Sequence, residues 1–178
     1  DFNEDGLIDI VATNWGLNTK YHFTTSHPRQ VYFNDFDKND VLDIVEAHYD
    51  GDFEDLVPER GFSCISNAMP FVREEKQTFL NYAQSTLTDI FGNTLETSPY
   101  LEANTLESVV LINNGNSFTS YPLPFEAQMS TAMHAGVSDI NGDGHEDIFI
   151  SQNFFTVQKE TDRNDSGRGL IMFGDGNG

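Results

Sequence analysis

Basic residues are scarce. Nine Lys and Arg stand against 29 Asp and Glu, a formal charge of −20. That imbalance repels phosphate backbones and anionic headgroups, so neither a nucleic acid nor a lipid surface is the expected partner. Cysteine is nearly absent. Cys64 alone excludes an internal disulfide and a cysteine-based zinc site. No apolar run approaches the ~18 residues of a membrane-spanning helix, so direct membrane insertion is not expected. The catalytic signatures G-x-S-x-G and H-E-x-x-H and a glycine-rich phosphate loop are missing. The five histidines, His22, His27, His48, His134 and His145, never fall four apart, and His22 and His27 read as surface-loop residues. What the chain does have is a core's worth of apolar side chains. These make up 38% of its 178 residues, including 15 Phe and 6 Tyr, which is not the composition of a disordered acidic tail.

The acidic residues are ordered in sequence. "DFNEDGLIDI" opens the chain, "DFDKNDVLDI" starts at Asp35 and "DINGDGHEDI" at Asp139. All three read D-x-[DN]-x-[DN]-[GD]-x-x-D-I. A hard cation such as calcium takes six to eight oxygen ligands, and a loop curling round one can offer them at alternate positions. The spacing therefore nominates three ligand sets: Asp1, Asn3, Asp5 and Asp9; Asp35, Asp37, Asn39 and Asp43; Asp139, Asn141, Asp143 and Asp147. Leu7, Val41 and His145 would add main-chain carbonyls at position 7, leaving the His145 side chain free. Position 6 must turn sharply, which suits Gly6 and Gly144; Asp40 is the departure. Asp, Asn and Gly also make ordinary turns. Nine carboxylates in three copies of one spacing, however, would repel one another without a counter-charge.

An EF-hand is excluded on two grounds. Position 12 is Ala12, Glu46 and Ile150, where that loop needs Glu each time, and the flanks are not helical. "DIVATNW", "DIVEAHY" and "DIFISQNF" are β-branched and aromatic runs, as are "QVYFND" and "HAGVSD" upstream. The expected unit is strand, acidic loop, strand. His48, Asn14 and Gln152 follow the strands at matching places, which suggests a shared structural hydrogen bond. Trp15, Tyr49 and Phe154 come next, as packing residues or, if exposed, a sugar-stacking rim.

Elsewhere "SVVLINNGNSFTSYPL" reads as a hairpin turning at Asn114-Gly115, with Val109, Leu111 and Phe118 inward. "GLIMFGDGNG" reads as half of another. Residues 55–107 break the pattern and read as a mostly helical insertion. Phe79, Tyr82, Ala83, Thr86, Leu87, Ile90 and Phe91 recur at three and four, predicting one amphipathic helix closed by Gly92-Asn93. A helix from Pro70 to Thr78 precedes it, and "SPYLEANTLES" is expected to hold a short turn. The insertion either covers a sheet edge or shapes a binding surface. Cys64 is expected in the core. Asp165-Ser166-Gly167 has the letters of an aspartic-protease triplet, but its polar neighbours make it a turn, and Asn164 heads a glycosylation sequon.

The three loops and the strands after them resemble the FG-GAP and VCBS repeats of β-propellers. "NWGLNTKY", "YLEANTLESVVLINNGN" and "LPFEAQ" add a likeness to bacterial VCBS-repeat proteins related to cartilage acidic protein, the ASPIC/UnbV group. That resemblance implies an all-β fold: part of a propeller of about seven blades, interrupted by the helical insertion. Residues 1–54 would carry two calcium loops, 55–107 the insertion, and 108–178 the third loop. Three repeats are too few to close a ring, so the expectation is an excerpt of a longer protein. The resemblance further implies up to three structural Ca2+ ions and no catalytic residue in this chain. It points to a secreted, periplasmic or cell-surface module that binds a protein or carbohydrate. An enzyme acting on polysaccharide, with its active residues outside this stretch, is the alternative, and an adhesion site with an open metal position is a third.

Overall fold

The structure is a computed structural model and describes residues 1–157 and 161–177. In chain order the elements are β1 (Ile10–Ala12), β2 (Arg29–Asn34), β3 (Asp43–Asp50), β4 (Asp55–Pro58), α1 (Phe62–Ala68), α2 (Pro70–Lys76), α3 (Phe79–Ala83), α4 (Leu87–Phe91) and α5 (Asn93–Glu96). β5 (Tyr100–Ala103), β6 (Val109–Asn113), β7 (Phe118–Pro122), a 3-10 turn (Phe125–Gln128), β8 (Ala132–Ser138), β9 (Asp147–Gln152) and β10 (Leu170–Met172) follow. The strands form three small antiparallel sheets, ordered β1-β6-β7, β10-β9-β8 and β4-β3-β2-β5, and none is closed. The fold is thus rich in β-structure, with a helical part. The chain divides into two compact units, residues 23–105 and residues 1–22 with 106–178.

In the unit of residues 23–105, β3 alternates as its sequence does. Val45 and Ala47 are buried and Ile44 is exposed. With Tyr32 and Leu56 they form a sheet face on which the helices set Phe62, Ile65, Met69, Val72, Tyr82, Leu87, Ile90, Phe91 and Leu95. Each such side chain contributes about 1.5–3 kcal/mol on full burial. None of the five helices exceeds seven residues, too short to persist alone, so this apolar layer is what holds them.

Several expectations about this unit need correction. The apolar run from Phe79 to Phe91 is two helices. Thr86 caps α4, its Oγ1 accepting from Asp89 N at 3.2 Å while Asp89 Oδ2 accepts from Thr86 N at 2.9 Å. That reciprocal box starts a new helix where periodicity alone predicts continuation. Gly92 closes α4, and Pro70 opens α2, as expected. Residues 55–107 carry five helices between Phe62 and Glu96, as expected, but have a strand on either side of them. β5, where a turn was expected, pairs with β2, and β4 pairs with β3. Cys64 lies on α1 and is exposed rather than in the core.

In the other unit, Ile148 and Ile150 of β9 are buried with Leu123, Ala127 and Ala132, and Phe2, Val11, Val110, Leu170 and Met172 pack on them. The β6–β7 hairpin forms, with Asn114 N donating to Ser117 O at 2.8 Å and Gly115 at φ +86°. Its inward parity is the opposite of that expected: Val110 joins the core, Ile112 is buried and Phe118 is 49% exposed. β10 pairs with β9 as β6 pairs with β1.

A buried polar hub ties this unit together. Gln128 Nε2 donates to Ser108 O at 2.8 Å and Leu123 O at 3.0 Å, and its Oε1 accepts from Ser108 N at 2.9 Å. The Gln128 carbonyl accepts from Leu17 N and Asn18 N. Gly16 sits at φ +86°, and a Cβ there would lie 2.7 Å from that carbonyl, so only glycine allows the approach. "NWGLN" and "LPFEAQ", far apart in sequence, meet here.

Candidate metal-binding loops

Each repeated acidic segment folds the same way. Loop 1 (Asp1 to Asp9) leads into β1, loop 2 (Asp35 to Asp43) joins β2 to β3, and loop 3 (Asp139 to Asp147) joins β8 to β9. Loops 2 and 3 have the strand, loop, strand order expected from the sequence, and loop 1 has the strand that follows. The first carboxylate of each loop accepts from the main-chain N–H groups of positions 5 and 6. Asp1 takes Asp5 N at 3.0 Å and Gly6 N at 2.8 Å; Asp35 takes Asn39 N and Asp40 N, both at 2.9 Å; Asp139 takes Asp143 N at 3.2 Å and Gly144 N at 3.0 Å. Position 5 accepts from position 7: Asp5 from Leu7 N, Asn39 from Val41 N, Asp143 from His145 N. Position 9 reaches back to position 2: Asp9 from Phe2 N, Asp43 from Phe36 N, Asp147 from Ile140 N. The second oxygen of Asp9 accepts from Asn113 N on β6, and that of Asp147 from Gly174 N just after β10. The ninth carboxylate thereby locks each of these two loops to the neighbouring strand.

The backbone needs two left-handed residues per loop. At position 6 these are Gly6 (φ 86°), Asp40 (φ 64°) and Gly144 (φ 96°). At position 4 they are Glu4 (φ 58°), Lys38 (φ 59°) and Gly142 (φ 81°), a requirement the spacing did not expose.

The loops differ in how their acids converge. Asp35, Asp37 and Asp43 of loop 2 bring carboxylate oxygens within 4.8 Å of one another, the one such acidic triad among the described residues. Asp37 Oδ1 is buried and accepts no hydrogen bond. Burial holds the Asp43 carboxyl above its usual range, the Phe36 N–H opposes this, and the charges of Asp37 and Asp35 add to the rise. In loops 1 and 3, position 3 is an amide, and Asn3 and Asn141 donate to Asp5 and Asp143 at 3.0 and 2.8 Å. The His145 N–H and the Asn141 amide hold exposed Asp143 below its usual range. The hard-oxygen donor set, the buried oxygen without a partner and the mutual repulsion in loop 2 all fit a divalent cation.

His145, expected to leave its side chain free, instead places Nδ1 2.6 Å from Glu4 Oε1, joining loop 3 to loop 1. That contact holds its imidazole above the usual value. At the matching places, His48 and Gln152 have unlike neighbours. His48 Nδ1 lies 3.1 Å from Glu59 Oε2 without hydrogen-bond geometry, and Gln152 donates to Glu126 O; Asn14 Oδ1 accepts from Trp15 N, and its main-chain N–H donates to Ser108 Oγ. The aromatics pack: Trp15 meets Phe154 edge-on at 5.6 Å, and Tyr49 stacks on His27 at 3.9 Å. Asn164 is only 5% exposed, which removes the sequon from use in the folded chain. Asp165 pairs with Arg163 at 3.0 Å.

No family model, curated protein or solved structure matches the chain. No helix of the described residues is long and apolar enough to cross a membrane.

Proposed function

We propose that this chain is part of a calcium-stabilised β-propeller of the FG-GAP/VCBS kind, a secreted, periplasmic or cell-surface module that binds a protein or carbohydrate. The observation that carries the reading is loop 2, where three carboxylates converge within 4.8 Å and leave a buried oxygen without a partner. The same wiring in loops 1 and 3 extends it to three sites. Asp1, Asn3, Asp5 and Asp9, their counterparts Asp35, Asp37, Asn39 and Asp43, and Asp139, Asn141, Asp143 and Asp147 hold the ions, with the carbonyls of Leu7, Val41 and His145. Bound calcium neutralises charge and pins the turn between strands; the chain's own residues do no catalysis. Three dications offset six of the net 20 negative charges. Extracellular calcium sites bind at roughly 10⁻⁴–10⁻³ M, so the ions are retained where calcium is near millimolar.

Thermal unfolding tests this. In calcium at ten times its Kd each filled site stabilises by about 1.4 kcal/mol, and EDTA removes the gain. Magnesium, which demands smaller octahedral geometry, reproduces little of it. A melting temperature indifferent to calcium would reduce the repeat to a turn pattern and overturn the proposal.

A further inference from the structure

Loop 2 differs from its two counterparts in what covers it. Its second residue, Phe36, is 7% exposed; the ring lies 4.7 Å from that of Phe91 on α4, and Phe91 lies 6.1 Å from Phe71 on α2. The corresponding Phe2 of loop 1 packs on strands, and Ile140 of loop 3 is 47% exposed. Phe36 is held at its main chain by the loop itself, its N–H donating to Asp43 Oδ2 at 3.0 Å. Asp43 is also a member of the acidic triad. One carboxylate thus touches both the proposed ion position and the residue that enters the helical core. A cleft of about 310 Å³ runs along this seam, with Phe36 and Lys38 on one side and Phe71, Glu75 and Asp89 on the other.

Without a counter-charge the triad repels itself, and the relief open to it is expansion of the loop, which withdraws Phe36. The helices have little of their own to resist with, because segments of four to seven residues depend on the apolar layer they share. We infer that loop 2 is a cation-operated clamp on the helical layer: filling it seats Phe36 against Phe91, and emptying it loosens residues 62–96. The inference rests on the calcium reading above. It also gives the helical layer a function that follows calcium, ordered where the ion is plentiful and loose where it is not.

Hydrogen–deuterium exchange on the whole chain, in EDTA, calcium and magnesium, separates the two ideas. Calcium at ten times its Kd is expected to slow exchange in 62–96 by up to about tenfold, with loop 2, and to slow the 109–122 hairpin far less. Phe36→Leu keeps every proposed ligand. Its loop 2 amides should still gain protection while the gain in 62–96 falls below about threefold. Asp37→Ala, which removes a proposed ligand and leaves the core intact, should abolish both gains. If loop 2 is protected by calcium while 62–96 exchanges at one rate throughout, the clamp is overturned and the calcium sites stand. The clamp also fails if the hairpin gains as much as the helices, because the effect is then global. If no loop responds to calcium, both proposals fall.

Discussion

At the scale of single residues, the left-handed positions set the cost of each loop. Asp40 at φ 64° stands where the other loops have glycine, and Asp carries part of the steric penalty that glycine avoids. Asp40→Gly should therefore stabilise the metal-free chain by about 0.5 kcal/mol, the relief of strain slightly exceeding the added freedom of the unfolded chain. Gly144→Ala at φ 96° should cost about 1–2 kcal/mol by the same argument. Urea unfolding of the two variants in EDTA checks both signs. Gln128 is a sharper case. Gln128→Leu keeps the volume but leaves Ser108 N and Leu123 O without their partner in a buried place, which should cost about 3 kcal/mol. A loss under 1 kcal/mol would mean that water reaches the hub.

At the scale of elements, the break between α3 and α4 rests on one capping box. Thr86→Ala removes the acceptor for Asp89 N and should destabilise by about 1 kcal/mol in urea. The same box has a pH signature. The Thr86 N–H and hydroxyl hold Asp89 below its usual range. Its ionised form is favoured by folding, so its contribution is present above the ordinary carboxylate value and is lost as pH falls through the lowered one. Thr86→Ala removes the hydroxyl but keeps that N–H, so the acid limb of the stability curve should become shallower only in part, which a pH series of unfolding midpoints reads directly.

At the scale of the molecule, charge is the governing quantity. The net −20 is spread over the chain, but loop 2 gathers three acids within 4.8 Å. There burial, with Asp37 and Asp35 nearby, raises Asp43. The sign is opposite to that of Asp89. Protonated Asp43 is favoured by the fold, so this stability is present below the ordinary carboxylate value and lost as pH rises through the raised one. A cation must displace that proton. Calcium affinity should fall as pH drops towards the raised Asp43 value, with proton release on binding there, as isothermal titration in two buffers of different ionisation enthalpy would show. An affinity that Asp43→Ala leaves unchanged at neutral pH would remove Asp43 from the site.

The loops were legible because their chemistry is local. A ligand pattern, a sharp turn and the strand that follows all lie within a dozen residues, and one hydrogen-bond wiring realises all three copies. Pro70 and Gly92 marked helix ends for the same reason. The rest depended on contacts between distant segments. The Thr86 box outweighed the apolar period from Phe79 to Phe91. β5 became a strand because β2 offered it an edge, whereas its own residues read as a turn. Cys64 was exposed by the face that α1 turned to the sheet, and the hairpin's inward parity was set by the core it met. Which of three similar loops lies beneath the helices was likewise decided by packing. Phe2 and Phe36 hold the same place in their repeats, and only the tertiary structure puts one on strands and the other against Phe91.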